Sequence, residues 1–92
     1  MERSDEEILA DYMSGNDEKA AQMIFFRYKT RVLNFCLRML GNRADAEDVT
    51  ADAFLALFDR KYAHASGSKF STWLYTVARN RCISQIRKRK NI

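Results

Sequence analysis

Proline is absent from these 92 residues, and glycine occurs only three times, at Gly15, Gly41 and Gly67. A β-sandwich or barrel relies on such residues for its many turns, so the composition suits helices joined by short connections instead. The two cysteines, Cys36 and Cys82, show neither C-x-x-C nor Cys/His spacing. They read as buried thiols in a reducing compartment, not as a disulfide framework or metal ligands. Histidine occurs once, at His64, in a loop without a clear partner for base or ligand chemistry. There is no apolar run of about eighteen residues and no signal-peptide start. Neither a membrane span nor export is indicated, and the cytoplasm is the expected location. Walker and dinucleotide glycine spacings are missing. The adjacent carboxylates Glu47 and Asp48 diverge by about 100° on a helix, so they make no acid–base pair. No enzyme, cofactor or metal chemistry is expected.

What the chain does hold is enough apolar material for one small core: 47% hydrophobic residues, with six Phe, four Tyr and one Trp. Its net charge of +4 conceals an asymmetry. Residues 1–58 carry seven Lys/Arg against eleven Asp/Glu, whereas residues 59–92 carry nine Lys/Arg against a single Asp. An acidic front and a basic back point to two kinds of partner, the basic part facing a polyanion.

Four helices can be read in order. Ser4-Asp-Glu-Glu7 is a capping box, opening a short helix with Ile8, Leu9, Tyr12 and Met13 inward and closing near Gly15. Asn16-Asp17-Glu18 starts a second, long helix, with acids where the dipole favours them. Its stripe of Ala21, Ile24, Phe25, Tyr28, Val32, Phe35, Cys36 and Met39 makes it the backbone of the core, and Gly41 ends it. A cap within Asn42–Asp45 opens a third helix of roughly sixteen residues. Ala46, Val49, Ala53 and Leu57 face inward there, with Phe54 and Phe58 flanking. Residues 63–68 form a flexible connection, and Ser68 or Ser71 can cap the fourth helix. The expected fold is therefore all-α: one domain over 1–92, a compact bundle of four helices with a long second helix and a basic C-terminal one.

The fourth helix, Lys69–Lys90, organises the rest. At 100° per residue, Phe70, Trp73, Leu74, Val77, Ala78 and Cys82 form an apolar face, while Thr72, Thr76, Arg79, Asn80, Ile83, Arg87 and Lys90 gather on another. Phe70, Trp73 and Leu74 are expected to be largely core. Aromatic surface around Tyr62 and the Phe70–Tyr75 cluster, beside Lys61, Lys69, Arg79 and Arg81, would suit unpaired bases, at ~1–3 kcal/mol per stacked base. The Arg87–Lys90 run reads as frayed, and it suits phosphates, an acidic protein or an anionic membrane surface equally.

On the third helix Asp45, Asp48, Asp52 and Asp59 line up around Leu55. A solvated charged face is the plain reading. Yet no Lys or Arg sits among these acids to form stabilising pairs, and an apolar Leu55 in their midst could be gripped by a basic helical partner.

Two long stretches now carry a resemblance: Asp45-Ala-Glu-Asp-Val-Thr-Ala-Asp-Ala-Phe-Leu-Ala-Leu-Phe58 and Phe70-Ser-Thr-Trp-Leu-Tyr-Thr-Val-Ala-Arg-Asn80. They resemble region 2 of bacterial RNA polymerase sigma factors of the extracytoplasmic-function (ECF) group. Ser14-Gly-Asn-Asp17 and Phe26-Arg-Tyr28 fit the same pattern, so the likeness covers nearly the whole chain. It implies a transcription initiation domain without catalysis. The third helix would dock on the clamp helices of the polymerase large subunit, with Asp48 and Asp52 in charged contacts and Asp45, Leu55 and nearby parts of helix 2 in support. The 62–71 loop and the fourth helix would capture the non-template strand of the promoter −10 element, a flipped base being held by the loop. Matching positions are Arg60, His64, Phe70, Thr72, Trp73, Thr76, Arg79, Asn80, Ile83 and Arg87. Lys61, Tyr62, Lys69 and Ser71 join them by location. An anti-sigma factor covering these surfaces is a further implied partner.

Three departures qualify the likeness. Ala51 stands where the family usually has Gln, and Ser84 where Asp is frequent. Region 4, the second helical domain that reads the −35 element in a whole factor, is missing from these residues, which read as an excised or truncated domain. The alternative is a helical protein–protein module whose basic tail meets an acidic partner or membrane surface. That module needs only the tail, whereas a sigma domain needs Asn80 and the aromatic-basic loop.

Overall fold

The computed structural model describes residues 4–15, 18–59 and 69–90, with the backbone alone over 11–15. Four α-helices account for nearly all of them: α1 (Asp5–Gly15), α2 (Glu18–Leu40), α3 (Arg43–Phe58) and α4 (Phe70–Lys90). The bundle is all-α and compact, with α2 packing on each of the other three helices.

Local chemistry sets the boundaries. The Glu7 amide donates to Ser4 Oγ at 3.2 Å, and the Ser4 hydroxyl donates to Glu7 Oε1 at 3.2 Å, so the expected box closes through the hydroxyl. Gly41 ends α2 at φ +69°, a left-handed conformation that costs a side-chain-bearing residue about 1–2 kcal/mol. Its amide returns to the Leu37 carbonyl at 2.8 Å. Asn42 then caps α3, its Oδ1 accepting from the Asp45 amide at 3.0 Å. At the start of α4 the Trp73 amide bonds the Lys69 carbonyl at 3.0 Å. Ser71 therefore lies inside the first turn and does not cap it, and Ser68 falls outside the described residues.

The core follows the helical stripes. Ile24, Tyr28, Val32 and Cys36 of α2 meet Ala46, Val49, Ala53, Phe54 and Leu57 of α3 and Phe70, Leu74, Ala78 and Cys82 of α4, with Ile8 and Leu9 entering from α1. Phe25 stands edge-on to Phe54, ring centroids 5.0 Å apart. Fully burying each large side chain contributes about 1.5–3 kcal/mol. Thr50 is the one polar residue buried among those described, and its hydroxyl donates to the Ala46 carbonyl at 2.7 Å. Phe58, expected to flank the core, is 37% exposed. The tail also departs from expectation. α4 continues to Lys90, and Arg89 is tied to the body of the domain.

Candidate functional site

Phe70, Leu74, Ala78 and Cys82, four residues apart, are all completely buried and fix the rotation of α4. On the other side Thr72, Thr76, Arg79, Asn80, Arg81 and Arg87 are exposed, with Ser71, Trp73 and Ile83 half-buried at the margins. Lys69 is exposed just ahead of the first turn. Phe70, implied as a DNA contact, has no exposed surface: it lies beneath Tyr28 and tilts against Trp73, with centroids 5.4 and 6.3 Å away. It packs against Trp73, which retains open surface. Arg60, Lys61, Tyr62 and His64 lie outside the described residues.

A second contributor is not evident from the sequence. Phe35 of α2 stands edge-on to Tyr75 of α4 at 5.4 Å, and a shallow concavity opens on either side of the pair. One, about 380 Å³, is lined by Phe35, Ser71, Thr72, Tyr75, Thr76 and Arg79. The other, about 280 Å³, adds Arg31, Asn34 and Arg38 from α2. The strong apolar stripe of α2 marks it as a core element and masks its polar side, although Arg31, Asn34 and Arg38 recur at helical spacing. Together the two helices offer guanidinium groups for phosphates, hydroxyls, and an aromatic pair.

The acidic row on α3 divides. Asp48, Asp52 and Asp59 are exposed, and Leu55 among them is 56% exposed. Asp45 is half-buried, its carboxylate bound by Arg89. Arg43 pairs with Glu47 at 3.1 Å, one turn away on the same helix. Beside the row, a groove of about 400 Å³ runs between α2 and α3, lined by Phe25, Lys29, Thr30, Leu33, Arg43, Glu47, Thr50 and Ala51. Further along α2, Phe26 is 65% exposed, and the Lys29 ammonium lies 4.9 Å from its ring centroid. The opposite charges foreseen in the sequence thus lie on separate helices.

Among the described residues, two core groups have raised pKa values. Burial, then the hydrogen bond to Asp5 and its charge, raise the Tyr28 phenol from 10.0 to about 12. Burial also raises the Cys82 thiol from 9.0 to about 12, helped by its hydrogen bond with Cys36. These thiols are packing groups, poorly suited to nucleophilic work. Among the described residues no three His, Cys, Asp or Glu side chains cluster as a metal site, and no helix is long and apolar enough to cross a membrane.

The family model for Sigma-70 region 2 matches residues 24–92, which takes in α3, α4 and most of α2. The chain belongs to this family. Similar relatives place the sigma domain in the ECF group. It is 40% identical over 74 residues to the ECF RNA polymerase sigma factor SigW of Bacillus subtilis, covering 80% of this chain and 40% of that protein. Identity is 31% over 75 residues with the RNA polymerase sigma factor CarQ of Myxococcus xanthus, covering 82% and 43%. With the ECF RNA polymerase sigma-E factor of Escherichia coli K12 it is 28% over 79 residues, covering 86% and 41%. The sigma domain therefore spans about two-fifths of the length of these relatives. No solved structure gave a significant match. Sigma factors are not enzymes, and the family assignment agrees with the expectation of a domain without catalysis.

Proposed function

We propose that this domain docks on the clamp helices of core RNA polymerase through the outer face of α3, and reads the promoter −10 element as a displaced single strand through α4 and the 62–71 loop. The observation that carries the reading is the outward file of Thr72, Thr76, Arg79, Asn80 and Arg87 on a helix whose opposite side is fully buried from Phe70 to Cys82. In this reading Asp48 and Asp52 make the charged polymerase contacts and Leu55 is the apolar anchor. The α2–α3 groove takes a partner side chain where Ala51 leaves it open. Arg60, Lys61, Tyr62, His64, Lys69 and Ser71 are strand contacts in this reading, a flipped base being held by the 62–71 loop, while Arg79 and Arg87 gather phosphates. Asn80 is the polar reader of a base edge, and Ile83 packs against the strand. Extruding a base costs a few kcal/mol, which pocket contacts must offset. An anti-sigma factor occupying the same surfaces would compete with both partners.

The test is fluorescence anisotropy with short single strands, candidate −10 sequences against a scrambled strand and the duplex, with and without core polymerase and at several salt concentrations. A sequence preference that Asn80→Ala removes supports the reading. Uniform binding that weakens alike for every sequence as salt rises, even with polymerase present, would reduce α4 to a basic surface and sink it.

A further inference from the structure

The junction where α2 ends and α3 begins carries a contact that the proposed function does not use. Arg89, in the last turn of α4, donates from Nη1 to the Leu40 carbonyl at 3.1 Å and from its other terminal nitrogen to Asp45 Oδ2. One guanidinium thus bridges the final carbonyl of α2, where the helix dipole is negative, and a carboxylate in the first turn of α3. The two-pronged geometry needs Arg, since a Lys ammonium is a single point charge. The fully buried contacts of α4 stop at Cys82, and Ile86 beyond it is only half-buried. Ile83 and Arg87 therefore sit on the last two turns, where Ile86 packs against the core and Arg89 makes the bridge.

We propose that Arg89 is a positioning residue for the DNA-reading helix, with Asp45 as its counterpart, and that the pair sets where Ile83 and Arg87 meet the strand. The proposal rests on the −10 reading given above. It also removes Asp45 from the polymerase contacts and leaves that role to Asp48 and Asp52.

Asp45 supplies the discriminating experiment, because simple electrostatics and positioning predict opposite signs. Deleting an anion near a DNA surface should tighten DNA binding, whereas losing the anchor should blur sequence reading. With core polymerase bound, Arg89→Ala and Asp45→Asn are each expected to lower the affinity ratio of preferred to scrambled −10 strand by about tenfold, the scale of one charge-assisted hydrogen bond. The double variant should be no worse than either single one, and Arg89→Lys should recover part of the ratio. Amide hydrogen exchange over residues 83–90 should quicken in Arg89→Ala and Asp45→Asn but not in Arg87→Ala. An unchanged ratio in Asp45→Asn overturns the proposal. So does an equal loss on all sequences in Arg89→Ala with a shallower salt dependence, or a fall in polymerase affinity specific to Asp45→Asn. If the wild-type domain shows no preference at all, the −10 reading itself fails, and hydrogen exchange still decides whether the anchor exists.

Discussion

Tyr28 stands edge-on to Phe70, their ring planes at 78°, while its hydroxyl donates to Asp5 Oδ2. The same carboxylate accepts from Arg27 at 2.8 Å, so one tyrosine joins the start of α1 to the first residue of α4. Removing the ring and removing the hydroxyl should differ. Tyr28→Ala is expected to cost about 3–5 kcal/mol, as other large aromatic truncations in cores do. Tyr28→Phe should cost less, about 0.5–1.5 kcal/mol, because Asp5 keeps Arg27 as a partner. Urea denaturation of the two variants measures the difference: no loss in Tyr28→Phe would remove the hydrogen bond from the account, and equal losses would remove the ring.

Alkaline stability follows from Tyr28 and Cys82. Both groups have folded values raised to about 12, from 10.0 and 9.0 respectively. The folded state thus holds these protons where the unfolded chain has released them. The stability they contribute is fully present below pH 9 and is lost progressively as pH rises towards 12. Urea midpoints should fall across that window. Tyr28→Phe should flatten the fall above pH 10 and leave the part due to Cys82 in place.

The acid face can be tested by reversing one charge. Asp52→Arg should weaken core polymerase binding roughly tenfold while leaving thermal unfolding within about 0.5 kcal/mol of wild type, since Asp52 is exposed. Leu55→Ala should also weaken it, as an apolar anchor within a charged rim does. Unchanged affinity in both variants, measured by surface plasmon resonance, would take α3 out of the interface.

Arg31 and Arg38 on α2 flank the Phe35–Tyr75 pair. If the strand crosses this pair, Arg31→Ala and Arg38→Ala should weaken longer single strands more than short ones. Removing one cation from a phosphate should reduce the slope of log affinity against log salt by about 0.7. Length-independent effects would confine the strand to α4.

Gly41→Ala isolates a backbone term. Beyond its immediate chain neighbours nothing lies within 4 Å of where its Cβ would stand, so the cost comes from φ alone, about 1–2 kcal/mol. Gly41→Asn should cost less, because Asn tolerates the left-handed region. Urea midpoints of the two variants rank these costs.

Local rules place the helices correctly. Ser4 with Glu7, Gly41, and Asn42 with Asp45 all act within three or four residues, where side-chain and backbone chemistry is read directly from spacing. The stripes on α2 and α4 follow for the same reason. How one helix meets another is not legible in this way. Arg89 and Asp45 are 44 residues apart, so pairing them requires the bundle, and without it the tail reads as frayed. Burial depth is equally hidden. Phe70 and Trp73 share a face in sequence, yet packing under Tyr28 encloses the first and leaves the second half open. The polar side of α2 is obscured because a strong apolar stripe dominates its pattern.

The alanines of α3 carry one further consequence. Ala46, Ala53 and Ala56 are buried, and α3 packs against both α2 and α4. Small side chains at these positions let neighbouring helices approach closely, and each helix is about 10 Å across. A protein seated on Asp52 and a strand lying on the exposed face of α4 would then be separated by α3 and α4 together. Partner and promoter would be held at a fixed spacing by two packed helices, with no hinge or linker between them.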